Sequence, residues 1–358
     1  MGSIEVPTLR WGIVGCGLIS SWFVQDLMVP RASPPTKHLI RAIGSSSIDK
    51  GANFASSHCP GEKPAVYASY AGVYSDPEVD VVYIGTPHVF HLQNALDAIA
   101  AGKHVLCEKP MTMNARDTQV LVEAARKKGV YLMEGVWTRF NPLVAALQKL
   151  LHEDQVLGSL GRVFVDFALD MPFSSLPANA RTADPALGAG VLLDIGIYTL
   201  TWATLILDSH PQHIAAGSPS PEMTSSMTIK NGVDETSTVI LNYKDVGCQA
   251  ILTSTNRFQG ATEFCRIEGE KGSISIGGRA ASNPAFLVVR LKGQDEKRID
   301  FPKEGVAKGF YFEADAIAED LRSGRKESLV IPLKESIRMM SVMDSIRKTN
   351  GLRYPQDD

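Results

Sequence analysis

Trp11-Gly12-Ile13-Val14-Gly15-Cys16-Gly17-Leu18-Ile19-Ser20 is the stretch whose reading decides the fold. Trp11, Ile13 and Val14 form a short buried-strand run, the glycines form a turn, and Ile19, Trp22, Phe23 and Leu27 recur beyond it at helical spacing. The turn fits G-x-G-x-x-G with Ser20 in the third place, where a small residue suffices for close helix packing. Gly15 permits the tight turn. Gly17 lets a pyrophosphate approach the backbone N–H groups at the helix start, where Leu18 and Ile19 stand. Such a spacing arises by chance in a chain with 30 glycines, so it is the strand-to-helix context that points to a dinucleotide.

Reading outward, a second strand over Leu39 to Ile43 ends in Gly44-Ser45-Ser46-Ser47. An NAD-type site places an acid here on the ribose 2′-hydroxyl, and that acid is absent. Ser45 to Ser47 supply hydroxyl donors and Lys50 a charge one helical turn on, a set that accepts a 2′-phosphate and favours NADP, with NAD as the second choice. Two alternatives stay open: Asp49 turns back to the ribose, or the serines only cap a helix with Lys50 in solvent. A strand over Val79 to Ile84 leads to the loop Gly85-Thr86-Pro87-His88 and a helix from about His91 to Ala101. His88 and His91 lack a third ligand at a convincing spacing, so they read as packing of the cofactor loop and no metal site is expected. Next, the apolar run Val105, Leu106, Cys107 ends in Glu108-Lys109-Pro110. A lysine at the C-terminal edge of such a strand faces the crevice where cofactors bind. A helix capped by Asn114 and running to Gly129, then a strand over Val130 to Met133, complete a doubly wound unit.

The second half alternates with period two at Gly161 to Asp170, Ser237 to Tyr243, Gly247 to Thr253, Glu263 to Glu268, Gly272 to Ile276 and Phe286 to Leu291, the pattern of an open, mostly antiparallel sheet. Between the first two lies Gly188-Ala189-Gly190-Val191-Leu192-Leu193-Asp194-Ile195-Gly196-Ile197-Tyr198, opening a helix in which Asp194 and Tyr198 share a face at i and i+4. The expected architecture is α/β, with a dinucleotide-binding domain over residues 1–140 and a second domain over 141–358. A net charge of −3 without basic blocks gives no footprint for nucleic acid or anionic lipid. Five scattered cysteines argue against disulfides or zinc and for a reducing compartment. Residues 1–10 carry no secretory pattern and no apolar run reaches the length of a membrane span, so the expected location is cytoplasmic.

Gly15-x-Gly17, Glu108-Lys109-Pro110 and Gly188-Ala189-Gly190 through Asp194 to Tyr198 together resemble the Gfo/Idh/MocA oxidoreductase superfamily across nearly the whole chain. Glu134-Gly135-Val136-Trp137-Thr138-Arg139-Phe140-Asn141-Pro142 and Asp194-Ile195-Gly196-Ile197-Tyr198 look like the branch of the dimeric trans-dihydrodiol dehydrogenases and the NADP-dependent D-xylose 1-dehydrogenases. The resemblance implies a Rossmann domain, a second α/β domain whose sheet often mediates dimerisation, and a site at their junction. It implies Lys109 and Tyr198 as the catalytic pair and Asp194, Trp137 and Arg139 on the substrate side. Thr86, Pro87, His88, His91 and Glu108 would stand at the cofactor. Those relatives typically carry arginine after the second strand, where this chain has Ser46; Lys50 falls where a second arginine is common. The implied activity is hydride transfer between a sugar or polyol C–OH and NADP, D-xylose oxidation foremost and dihydrodiol oxidation next. A non-catalytic dinucleotide-binding regulator is the rival class. In that chemistry a Tyr198 phenolate takes the hydroxyl proton, and a nearby Lys109 ammonium favours the phenolate over a free phenol of pKa ~10.

Overall fold

The computed structural model describes residues 6–176, 180–218, 220–305 and 307–357, so residues 1–5 of the stretch read for a leader lie outside it. Six strands, β1 (Thr8–Val14), β2 (Lys37–Gly44), β3 (Ala65–Tyr67), β4 (Val81–Ile84), β5 (His104–Glu108) and β6 (Leu132–Gly135), form a sheet of order β3-β2-β1-β4-β5-β6. Every neighbouring pair is parallel. A parallel sheet needs crossover connections that cover both faces, and so its strands read as continuous apolar runs. Ile13, Val14, Ile43, Val82, Ile84, Val105 and Leu106 are all fully buried. The crossovers are α1 (Leu18–Met28), α2 (Ile48–His58), α3 (Tyr70–Ser75), α4 (His91–Ala100) and α5 (Ala115–Lys128). Asn114 caps α5 by accepting from Asp117 N, and Gly129 ends it in the left-handed region. The strand order reverses between β1 and β4, which opens a crevice at the carboxyl ends of those two strands.

The other sheet has eight strands: β7 (Leu160–Ala168), β8 (Glu222–Lys230), β9 (Val233–Tyr243), β10 (Cys248–Thr255), β11 (Glu263–Gly269), β12 (Gly272–Ala280), β13 (Asn283–Leu291) and β14 (Lys297–Asp300). Their order is β14-β13-β12-β11-β7-β10-β9-β8, and only the β7–β10 pairing is parallel. The pattern of alternation did not mark β3, β8 or β14. β8 and β14 are edge strands, with Thr, Ser, Lys and Arg where a core strand has Val and Ile, and β3 is three residues long. A helix that starts with a π-helical stretch, Leu192–Gly196, and continues as Ile197–Leu207 belongs to this half.

The chain forms two compact units, 1–140 with 303–340, and 141–302 with 341–358. A continuous second domain over 141–358 differs from this division. The physical reason lies in the helix Phe310–Arg322: Phe310 stands edge-on to Phe23 of α1 and stacks on Trp137, 4.3 Å between centroids, inside the first unit. The expectation about membrane-length runs also needs correction. Pro185–Leu207, 23 residues with mean hydropathy 1.7 in its most apolar window, is long and apolar enough by composition, and 89% of that window is buried inside the protein, as a core helix is.

Candidate active site

In the first unit the turn after β1 is built for close approach. Gly15 has φ +93°, and a Cβ there would stand 3.1 Å from Thr86 Cγ2 and 3.2 Å from the Gly85 backbone. Gly85 in turn lies against α1, since a Cβ on it would fall 2.2 Å from Ser20 Oγ. Ser20 in the third motif place is thus a packing requirement seen in three dimensions. Gly17 caps α1 with no side-chain hydrogen bond, and only the Gly85 carbonyl comes within 4 Å of its Cβ position. The first turn of α1 carries no acid, and Leu18 is 66% exposed beside half-buried Ile19. The helix start therefore offers its N–H groups and dipole to an anion.

At the end of β2, Ser45 is buried, with its Oγ making no hydrogen bond among the described residues. Ser47 caps α2 by accepting from Lys50 N at 3.2 Å, as one of the open alternatives expected. Ser46 and Lys50 remain exposed beside it. A helix cap and an anion-accepting edge are therefore compatible here, because different serines do the two jobs.

The loops after β4 and β5 are tied together by one buried histidine. His91 Nε2 lies 2.8 Å from the Thr86 carbonyl oxygen and its Nδ1 lies 2.8 Å from that of Pro110. Asn94 Nδ2 donates to Thr86 Oγ1, and Tyr74 donates to Asn94 Oδ1. Buried Glu108 accepts from the Tyr83 hydroxyl at 2.8 Å and from Lys109 N at 3.3 Å. On the far side of Lys109, Met111 N donates to Glu134 Oε1 at 2.8 Å. The peptide Lys109–Pro110 is cis. Lys109, half-buried, is thus carried on a loop pinned at the residue before it and at the two after it. Pro87 is half-buried, and His88 is buried with its ring 5.7 Å from that of His91.

Two residues expected on the substrate side sit inside the first unit. Trp137 is buried against Phe310, and Arg139 is buried with Nη2 2.8 Å from Glu335 Oε1. Burial pushes the Arg139 guanidinium below its ordinary value, opposed by Glu335. Asp26 of α1 accepts from Lys308 N, Gly309 N and Phe310 N at 2.6–3.0 Å, capping the helix Phe310–Arg322. Glu313, one turn on, is fully buried, and burial with the charges of Glu108 and Asp26 raises its carboxyl well above the usual range. Asp26, Glu313 and Glu335 were not singled out by sequence: an acid at helix spacing reads as a solvated face, and only packing shows that it is inside.

In the second unit Asp194 is half-buried in the π-helical stretch, and Tyr198 follows in the α-helix, its ring 5.7 Å from that of Phe167 on β7. Asp234 of β9 accepts from Leu192 N at 2.7 Å. Burial pushes its carboxyl up to about 6, opposed by the Leu192 N–H. Among the described residues no three His, Cys, Asp or Glu side chains are grouped as a metal site requires. All five cysteines are free thiols.

Models of two protein families match the chain: an oxidoreductase family with an NAD-binding Rossmann fold over residues 9–136, and the Gfo/Idh/MocA C-terminal domain over residues 144–275. The chain belongs to the Gfo/Idh/MocA oxidoreductase family. It is 33% identical to the D-xylose 1-dehydrogenase (NADP(+)) of Hypocrea jecorina, over 99% of this chain and 95% of that one. It is 36% identical to the trans-1,2-dihydrobenzene-1,2-diol dehydrogenase of Bos taurus, over 98% and 99%. Among solved structures, a 3-ketoreductase from Actinomadura kijaniata, in complex with NADP and TDP-benzene, matches with TM-score 0.77 at 23% identity over 96% and 97% of the two chains. The D-xylose and dihydrodiol dehydrogenases are those of the branch that the Trp137 and Tyr198 motifs imply, and the 3-ketoreductase shares the fold.

The cradle at Gly15 and Gly17, the buried free hydroxyl of Ser45 and the uncapped start of α1 fit the dinucleotide that the family model describes. Gly15 and Gly17 with the N–H groups of Leu18 and Ile19 would hold the pyrophosphate, and Ser45, Ser46 and Lys50 the adenosine end.

Proposed function

We propose that this oxidoreductase is an NADP-dependent dehydrogenase of CH–OH groups in sugars or diols, D-xylose 1-dehydrogenation being its first assignment and trans-dihydrodiol oxidation its second. The observation that carries the reading is the lysine loop. Glu108, Pro110 and Met111 are fixed by Tyr83, His91 and Glu134, which holds Lys109 at the same sheet edge as the glycine cradle. A nicotinamide bound there would supply the hydride acceptor for the substrate carbon.

Lys109 supplies positive charge to the reacting oxygen, and the Tyr198 phenolate takes the alcohol proton, becoming the phenol, as the C–H bond breaks. Asp194 accepts a hydrogen bond from a neighbouring hydroxyl and so fixes the ring that is oxidised. Thr86, Pro87 and Glu108 line the cofactor side, and His91 acts beneath them by holding two loops in register. Arg139 has no part in this proposal, since Glu335 holds its guanidinium in the interior. A homodimer through the second sheet and a cytoplasmic location complete the reading.

The test is NADP reduction measured across D-xylose, other aldoses, inositols and trans-dihydrodiols. Turnover of an aldose at the highest kcat/KM supports the first assignment and of a dihydrodiol the second. Tight NADP binding with no turnover of any of them overturns both and leaves the regulator.

A further inference from the structure

The helix that carries Asp194 and Tyr198 has no side-chain cap of its own, since Val191 precedes it. The cap comes from 42 residues away. Asp234 Oδ2 accepts from Leu192 N at 2.7 Å, while Oδ1 is buried with no hydrogen bond among the described residues. The turn that leads into the helix is pressed against the same carboxylate. Gly190 has φ +129°, and a Cβ on it would fall 2.1 Å from Asp234 Oδ1 and 2.9 Å from the Tyr354 hydroxyl oxygen. Tyr354 itself donates to the Ala189 carbonyl oxygen at 2.5 Å. The next carbonyl, that of Gly190, accepts from Asp194 N at 3.2 Å. Three successive links therefore run from Tyr354 to Ala189, from Gly190 to Asp194 and from Leu192 to Asp234.

Tyr354 is held from behind. Its ring lies 5.0 Å from the Arg347 guanidinium, which makes a two-pronged pair with Asp357 at 2.6 and 3.1 Å and a further bond to Asp344. Asp357 also accepts from Tyr354 N at 2.9 Å, and Gln356 donates to the Ala186 carbonyl. All of these residues belong to the second unit.

We propose that Asp234 and Tyr354 are positioning residues that set the start of the helix bearing Asp194 and Tyr198. The proposal rests on the roles given above to those two side chains. The helix is apolar and buried along its length, so packing alone holds it in the interior without specifying where its first turn begins. A fully buried carboxylate is a costly way to add stability, and an apolar residue of the same size would fill the space more cheaply. What it adds is a directed acceptor, at a point where the helix leaves ordinary α geometry for a π-helical stretch, a form found mostly at functional sites. Placement errors of roughly 1 Å at a reacting group can lower turnover on the order of a hundredfold.

The experiment uses the full chain with NADP and D-xylose, and compares Asp234→Ala, Asp234→Asn and Tyr354→Phe. Asp234→Ala is expected to lower kcat by roughly tenfold or more and to raise KM for the sugar, with NADP affinity within about twofold of wild type. Asp234→Asn keeps an oxygen that accepts from Leu192 N, so it should recover to within roughly threefold; Tyr354→Phe should fall between, and remains informative if Asp234→Ala does not fold. Hydrogen exchange of the amides at 190–198 reads the same placement without substrate and should rise in Asp234→Ala and Tyr354→Phe only. Folded variants with wild-type kcat and wild-type exchange overturn the proposal. A wild type inert toward sugars and diols, with the expected exchange response, overturns the activity reading and supports the clamp.

Discussion

The two units build their parts of the machinery from different materials. In the first, the proposed cofactor site rests on backbone: a glycine turn, a helix start, and loops after β4 and β5 whose carbonyls are joined by His91 and which carry Lys109. In the second, the proposed chemistry rests on two side chains of one helix, Asp194 and Tyr198, whose placement we assign to Asp234 and Tyr354. Backbone machinery demands particular residue types at fixed spacing, because only glycine tolerates φ +93° or a Cβ position 2.2 Å from another atom. Side-chain machinery held at long range leaves only Gly190, pressed against Asp234, as such a local mark.

Removing one functional group from each unit should break the comparison most sharply. Lys109→Met is expected to lower turnover by roughly 10²–10⁴-fold, the range of lost acid/base assistance, while NADP binding survives. Tyr198→Phe should do the same to oxidation and erase the rise of rate with pH, with the fold kept because the ring still packs near Phe167. Steady-state kinetics over pH with a separate binding titration decide both. Near-normal turnover in either variant removes that residue from the mechanism.

Next in size is cofactor choice, which tests the exposed edge at Ser46. Ser46→Asp should shift the ratio of NADP to NAD kcat/KM by roughly ten- to a hundredfold toward NAD, since the new carboxylate repels a 2′-phosphate and accepts from a ribose diol. A wild-type preference for NAD would sink the assignment of Ser45, Ser46 and Lys50.

How much of this was legible follows the same division. β1, the glycine turn and α1 could be read directly, as could the lysine loop, because strand periodicity and turn chemistry are local. Asp194 and Tyr198 were legible as a pair only through i, i+4 spacing and resemblance. The discontinuous first unit was not, since the reason Phe310 belongs there is a contact with Trp137 and Phe23 far off in sequence. Arg139 was placed on the substrate side by resemblance alone, and Glu335, the partner that holds it in the interior, lies 196 positions away. The apolar run Pro185–Leu207 was underestimated because Asp194 and glycines punctuate it.

A pair of glycines sharpens the contrast further. Gly15→Ala and Gly190→Ala each put a Cβ at positive φ, costing about 1–3 kcal/mol of local strain, and at 190 the Cβ also runs into Asp234 Oδ1. The first should weaken NADP binding by roughly tenfold with little change in kcat at saturation, and the second should lower kcat with NADP affinity kept. Isothermal titration together with saturation kinetics separates them. If both variants lose the same quantity, the division between a backbone cradle and a positioned helix is wrong.

The smallest effect concerns acid stability, and it belongs to the second unit. His210 is buried between His152 and His213, with ring centroids 5.9 and 6.5 Å away, and burial followed by those two neighbours pushes it down to about 4. In the first unit buried His38 is also lowered by burial, opposed by Asp315, whose carboxylate lies 3.0 Å from its Nε2. With a folded value below the unfolded ~6.5, His210 contributes stability that is present above pH 6.5 and drains away as pH falls toward 4, because the unfolded chain then binds more protons. At pH 6 the loss is on the order of 1 kcal/mol or less, growing toward pH 4. His210→Asn keeps an acceptor for Gln212 N and has no proton to gain, so its denaturant midpoint should fall less between pH 7 and 5 than that of the wild type. Hydrogen exchange over the same range should show amides near Ile206 to His213 opening before those of β1 and β4. Equal acid sensitivity of wild type and His210→Asn would place the weakness elsewhere, with His213, also lowered by burial, the next group to replace.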